Sequence, residues 1–183
     1  MLRCGRGKNM PAIERPQAHE ADPYFFRYID LVAGQDPLAV MEAQLAEVSA
    51  LGAKISEQQS QHRYAAGKWS LRQVLNHVTD TERAFAFRTL WFARGFETPL
   101  ASYDQEIAAA AAQADAIAWA EHLEEFRRVR LASVSLLAHL PAEAWDRAGI
   151  ASGKRITVRA LAFLIPGHVA HHLAIVHESY LSA

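Results

Sequence analysis

The sequence predicts an all-α protein: an antiparallel four-helix bundle with a short extra helical segment at its N-terminal end. Three observations carry this expectation. The chain holds 35 alanines against 9 glycines, and alanine is the strongest helix former. Apolar residues recur at three- and four-residue spacing over several long stretches. Alternating runs joined by Asn-Gly or Asp-Gly, the usual mark of a hairpin, are absent.

The first long helix is predicted to start at Asp36-Pro37, with Asp as cap and Pro at the first helical position. Leu38, Met41, Leu45, Val48 and Ile55 then form one stripe, and the polar stretch 56–67 contains its end. The second begins at Ser70, where Ser70 and Gln73 form a capping box and Trp69 precedes it as a staple. Leu71, Val74, Val78, Phe85 and Phe92 share its inner face, and Gly95 stops it. The connection 95–114 is long and contains an alanine run at 108–112. A third helix is expected from about Asp115 to Leu140, ended by Pro141. Residues 141–156 read as irregular, broken by Gly149 and Gly153. The last helix starts near the capping Thr157 and runs almost to the C-terminus.

Composition narrows the function. Hydrophobic residues make up 51 % of the 183 and charged residues 21 %, too apolar for disorder and long enough for a core without staples. Residues 1–10 read as a disordered leader, with Met10 as the true start, and 11–183 as one domain. The net charge of −1 gives no basic excess for nucleic acid or an anionic membrane. The most apolar stretch, 160–176, is interrupted by Pro166, Gly167 and three histidines and falls short of about 20 residues, so no bilayer span is expected. The one cysteine, Cys4, excludes an intramolecular disulfide and a paired-cysteine metal site, and it fits a cytoplasmic protein. Arg127, Arg128 and Arg130 alternate with Glu124 and Glu125 and read as a solvated, salt-paired face.

The nine histidines carry the chemistry. Leu161, Ile165, His168, His172 and Ile175 lie on one inward face of the last helix. His168 and His172 are one turn apart, with Cβ atoms about 5–6 Å from each other. Buried imidazoles need partners, because an unpaired buried polar group costs on the order of 1–3 kcal/mol. A divalent metal would satisfy both, with a third ligand from another helix. His77, flanking the stripe of Val74, Val78 and Phe85, is the best candidate. Three neutral histidines with an open position are the donor set of a catalytic zinc site, although nickel and iron also accept imidazole. The competing reading is a set of core histidines bonded only to one another. His19, His62, His122, His139 and His177 read as surface or packing residues, and His171 is rotated off the inward face.

Four segments resemble one family. GKWSLRQVLNHVTDTERAFAFRTLWFARG (Gly67–Gly95) is similar to the second helix of the DinB/YfiT-like superfamily of four-helix bundles. ITVRALAFLIPGHVAHHLAIVHESYL (Ile156–Leu181) is similar to its last helix, with the GHxxHH signature. RPQAHEADPYFFRYIDLV (Arg15–Val32) and SYDQE (Ser102–Glu106) resemble one DinB-like subgroup. The resemblance implies a three-histidine site for zinc or nickel at His77, His168 and His172. It also implies a homodimer, and either a metal-dependent hydrolase or a thiol S-transferase that uses a low-molecular-weight thiol such as mycothiol, bacillithiol or glutathione. Pro166, just before the Gly-His pair, departs from the pattern and is expected to kink the helix, since it cannot bond the carbonyl of Ala162.

Around the metal site, Arg88, Tyr103, Asp104 and Glu82 are pocket candidates. Asp80, rotated outward from His77, reads as solvated. Arg88 lies on roughly the face of His77, where it could meet an anionic small-molecule substrate or pair with Glu82 or Asp104. Asp104 sits in the connection that could roof the site. The alternative to an enzyme is a non-catalytic bundle dimer that binds metal or a small ligand.

Overall fold

The computed structural model describes residues 13–181; the expected leader, Cys4 included, lies outside the described residues. The protein is mostly helical. Four long helices, α2 (Pro37–Gly52), α3 (Leu71–Ala93), α5 (Trp119–Ala138) and α6 (Val158–Ile175), form the body. Both α2 and α3 pack against α5 and α6. The short α1 (Pro23–Ile29) lies on α6, and the short α4 (Gln105–Ala112) lies on α3.

Local chemistry explains the starts. Asp36 Oδ1 accepts from Leu38 N at 3.1 Å, and Pro37 occupies the first turn of α2. The capping box of α3 is complete: Gln73 N donates to Ser70 Oγ at 3.1 Å, and Ser70 N donates to Gln73 Oε1 at 3.0 Å. Thr157 Oγ1 caps α6 by accepting from Ala160 N at 3.0 Å.

Three features differ from the sequence expectation. Helix α5 starts at Trp119, because Asp115 is already engaged by Ser70 Oγ and Arg63. Its first N–H is capped from a distance, by Glu57 Oε2 at 3.0 Å from Trp119 N. Residues 141–156 are not wholly irregular: β1 (Ala148–Ala151) and β2 (Lys154–Thr157) pair antiparallel, with Ala151 opposite Lys154. Their two-residue turn is Ser152-Gly153, both at positive φ (54° and 72°). That is the backbone a tight hairpin needs, supplied by a dipeptide other than the usual Asn-Gly. Arg130 does not belong to the solvated face. Arg127 and Arg128 do, both bonded to Glu124, but Arg130 is 0 % exposed and paired with Glu82 at 2.8 Å.

The segment Val158–Tyr180, α6 with its continuation, is apolar and long enough to cross a membrane by length and composition. Here it is the central helix. Ala160 to Val169 are all buried, and α1, α2 and α3 cover them. The helix runs through Pro166 without a break, and Gln44 Nε2 from α2 donates to the Pro166 carbonyl at 2.8 Å. The core has two clusters. One is centred on Ile29, Met41, Phe92, Leu137 and Leu161, the other on Val74, Phe126, Val169 and Val176. On α3 the change falls between Val78 and Phe85, and on α6 between Ile165 and Val169. His168 lies at that junction and His77 immediately beside it.

Candidate metal centre

Helix α3 presents His77, and α6 presents His168 and His172 one turn apart. The candidate ligand atoms of the three all lie within 4.8 Å of one another. His168 Nε2 and His172 Nε2 are 3.2 Å apart. With Zn–N bonds near 2.0–2.1 Å, tetrahedral neighbours are separated by about 3.3 Å. The pair on α6 already has that spacing, and His77 needs a modest approach. The donor set therefore fits a divalent ion.

The surroundings hold the rings in place. His77 Nδ1 has Thr81 Oγ1 at 3.4 Å, one turn along α3. Trp69 packs on the His77 ring at 4.9 Å between centroids. Tyr28 from α1 and Phe85 from α3 meet His168 edge-on at 5.5 and 5.8 Å. His171 is not one of the three clustered histidines, and its ring packs edge-on against Tyr28 and His172. Buried rings of this kind have few rotamers left, which preorganises a ligand set.

Electrostatics favours neutral imidazoles. Burial pushes His77 down to about 4. Burial, and then the neighbouring imidazoles, push His172 down to about 3. His168 is held well below its ordinary value for the same reasons. Near neutral pH each ring keeps a lone pair free for a metal. One consequence concerns stability. The folded chain resists protonation where the unfolded chain accepts it near pH 6.5, so the unfolded state binds more protons as pH falls. The metal-free protein should be fully stabilised above about pH 6.5 and lose stability as pH falls towards 4. His77 alone would contribute on the order of 3 kcal/mol to that loss. Urea midpoints measured from pH 7 to pH 4 on wild type and His77→Phe check this. Identical slopes in the two would refute it.

A cavity of about 260 Å³ opens onto the cluster, with His77, Thr81 and His168 in its wall. Two of the pocket candidates named from the sequence, Arg88 and Tyr103, are among its lining residues. Arg88 is buried, and desolvation lowers its pKa. One of its amino groups donates to Ser152 Oγ at 3.0 Å and to the Ala101 carbonyl at 3.2 Å. It pairs with neither Glu82 nor Asp104. Glu82 lies outside the cavity lining, because its carboxylate is turned to the buried Arg130 on α5. Asp104 is the N-cap of α4, accepting from Glu106 N and Ile107 N. The connection does roof the cavity, through Ser102, Tyr103 and Gln105. Asp80 pairs with Arg83 at 2.7 Å.

Sequence reasoning missed Tyr28, Ser152 and Lys154, which also line the cavity. Gly167 is the one sequence signal for Tyr28. A Cβ there would lie 2.2 Å from the Tyr28 carbonyl oxygen, so glycine is what lets α1 approach. Ser152 and Lys154 arrive with the hairpin, which carries no Asn-Gly or Asp-Gly signal.

No curated protein matches the chain. Among solved structures the chain is similar to YfiT from Bacillus subtilis, described as a probable metal-dependent hydrolase with an unusual four-helix bundle topology. Identity is 20 %, the TM-score is 0.63, and the match covers 90 % of this chain and 91 % of that one. At that identity the likeness shows the fold. The DinB superfamily matches residues 41–176, a span that includes all three clustered histidines and well over half of the sequence. The chain belongs to the DinB superfamily.

Proposed function

We propose that this protein is a metal-dependent enzyme acting on a small-molecule substrate. In this reading His77, His168 and His172 hold a zinc or nickel ion in a single-domain, antiparallel bundle spanning residues 11–183. The supporting observation is that His77 and His168 belong both to the histidine cluster and to the cavity wall. A ligand set serving only structure would be closed off, whereas a catalytic one needs an open position reached by substrate.

When bound, the ion supplies a Lewis acid, which lowers the pKa of a bound water or stabilises a bound thiolate. The chain's own residues do the rest. Thr81 holds the His77 ring, Phe85 and Tyr28 pack against the His168 ring, and Tyr103 forms part of the cavity wall. Hydrolysis and transfer of a low-molecular-weight thiol both suit this arrangement. The description of YfiT as a probable hydrolase favours hydrolysis as the first activity to assay. The proposed setting is a cytoplasmic homodimer.

The test is elemental analysis of untagged protein, wild type against His168→Ala. The expected result is about one zinc or nickel per chain in wild type and near none in the variant. No metal in wild type, even after incubation with zinc and nickel, would leave a non-catalytic bundle. Activity that requires added thiol would then separate S-transfer from hydrolysis.

A further inference from the structure

Among the described residues three arginines are buried: Arg72, Arg88 and Arg130. Two have a carboxylate. Arg72 pairs with Glu57, and Arg130 pairs with Glu82. Arg88 has none. Its described partners are a carbonyl and a hydroxyl on one amino group, and the Phe85 ring lies 5.8 Å from its guanidinium carbon. A buried cation without a counter-charge is costly to keep. The cost is offset when a ligand brings the charge.

Resting on the metal-enzyme reading of the same cavity, we infer that Arg88 anchors a carboxylate of the substrate at the end of the cavity remote from the histidines. Arg88 and His77 stand eleven residues apart on α3, about 16 Å of helix. The Phe85 ring centroid lies 5.8 Å from the Arg88 guanidinium carbon and 5.8 Å from the His168 ring centroid, so the guanidinium stands no more than about 12 Å from that histidine. The substrate therefore carries its reacting group and its carboxylate at opposite ends of a chain of several bonds. Away from the ion, the cavity's own charges select a single negative charge at the Arg88 end. The second cation of the cavity, Lys154, is already matched by Asp22 at 2.7 Å, so one positive charge is unmatched. A guanidinium fork pairs with a carboxylate through two parallel bonds. A phosphate monoester would bring excess negative charge. The hairpin turn sets the anchor, because Ser152 N is bonded to Leu100 O at 3.0 Å while its hydroxyl accepts from Arg88.

The experiment is calorimetric binding of hexanoate, hexanol and hexyl phosphate to wild type, Arg88→Met and Arg88→Gln, with and without bound zinc. Metal content of each sample is measured in parallel. Wild type is expected to bind hexanoate on the order of tenfold or more tightly than hexanol. Both variants should lose that preference at unchanged zinc content. If one variant does not fold, the other decides. A preference surviving in the variants would place the carboxylate at the histidine end and overturn the assignment. So would the absence of any preference in wild type, or tighter binding of hexyl phosphate. The metal-free series isolates the two readings. A preference there that depends on Arg88 upholds the anchor even if the chain retains no metal, and only the metal reading then fails.

Discussion

Arg130→Met should lower the stability of the folded chain by about 3–5 kcal/mol. Arg130 is 0 % exposed and holds four elements together. It donates to Glu82 Oε2 on α3 from two nitrogens at 2.8 and 3.1 Å. It also donates to Gln44 Oε1 on α2 at 2.9 Å, and it packs on the Phe126 ring of its own helix. Gln44 passes the link to α6 through the Pro166 carbonyl. Burial pulls the Arg130 pKa down, and Glu82 opposes that pull, so each charge is tolerated because of the other. Removing Arg130 leaves the Glu82 carboxylate buried and unpaired, with Oε1 already lacking a protein partner among the described residues. The double change Glu82→Leu/Arg130→Met should recover most of the loss, because two apolar side chains have nothing to desolvate. Denaturant midpoints of the two variants decide the matter. A single variant that costs under about 1 kcal/mol would show the pair to be dispensable.

Gly167→Ala is expected to cost about 2–3 kcal/mol, the upper range for overpacking. The added methyl would sit 2.2 Å from the Tyr28 carbonyl oxygen and 2.7 Å from its carbon. Backbone cannot rotate away as a side chain can, so α1 itself must move. Ile29, 0 % exposed, would lose packing with it, and the Tyr28 ring would leave His168 and His171. A suitable control is Gly95→Ala. There a Cβ meets nothing, and only the positive φ of 83° is strained, at about 1 kcal/mol. Thermal melts should therefore rank Gly167→Ala below Gly95→Ala, and proteolysis should open the α1 segment first in the former. Equal melts would mean that α1 gives way freely.

Much of the site is legible in the amino-acid sequence. Helical periodicity is a local property, so the inward face of the last helix can be read from spacing alone, and with it His168 and His172. Capping is equally local. Asp36, Ser70 with Gln73, and Thr157 mark three helix starts because their side chains satisfy N–H groups two or three residues away. The same rule of faces selects His77, and family resemblance points to the same three residues.

Other parts depend on groups far apart in sequence, and those only the tertiary structure decides. Glu82 looks like a pocket residue until Arg130, 48 positions beyond it, claims its carboxylate. Arg130 reads as one of three surface arginines until α2 and α3 close over it. The start of α5 is capped by Glu57, 62 residues away, which no local signal announces. Propensity, capping and periodicity act over a few residues and write the helices and the histidine face into the sequence itself. Which charges are buried, which find partners, and which one is left facing the cavity depend on how the helices stack, because burial and pairing exist only once distant segments meet.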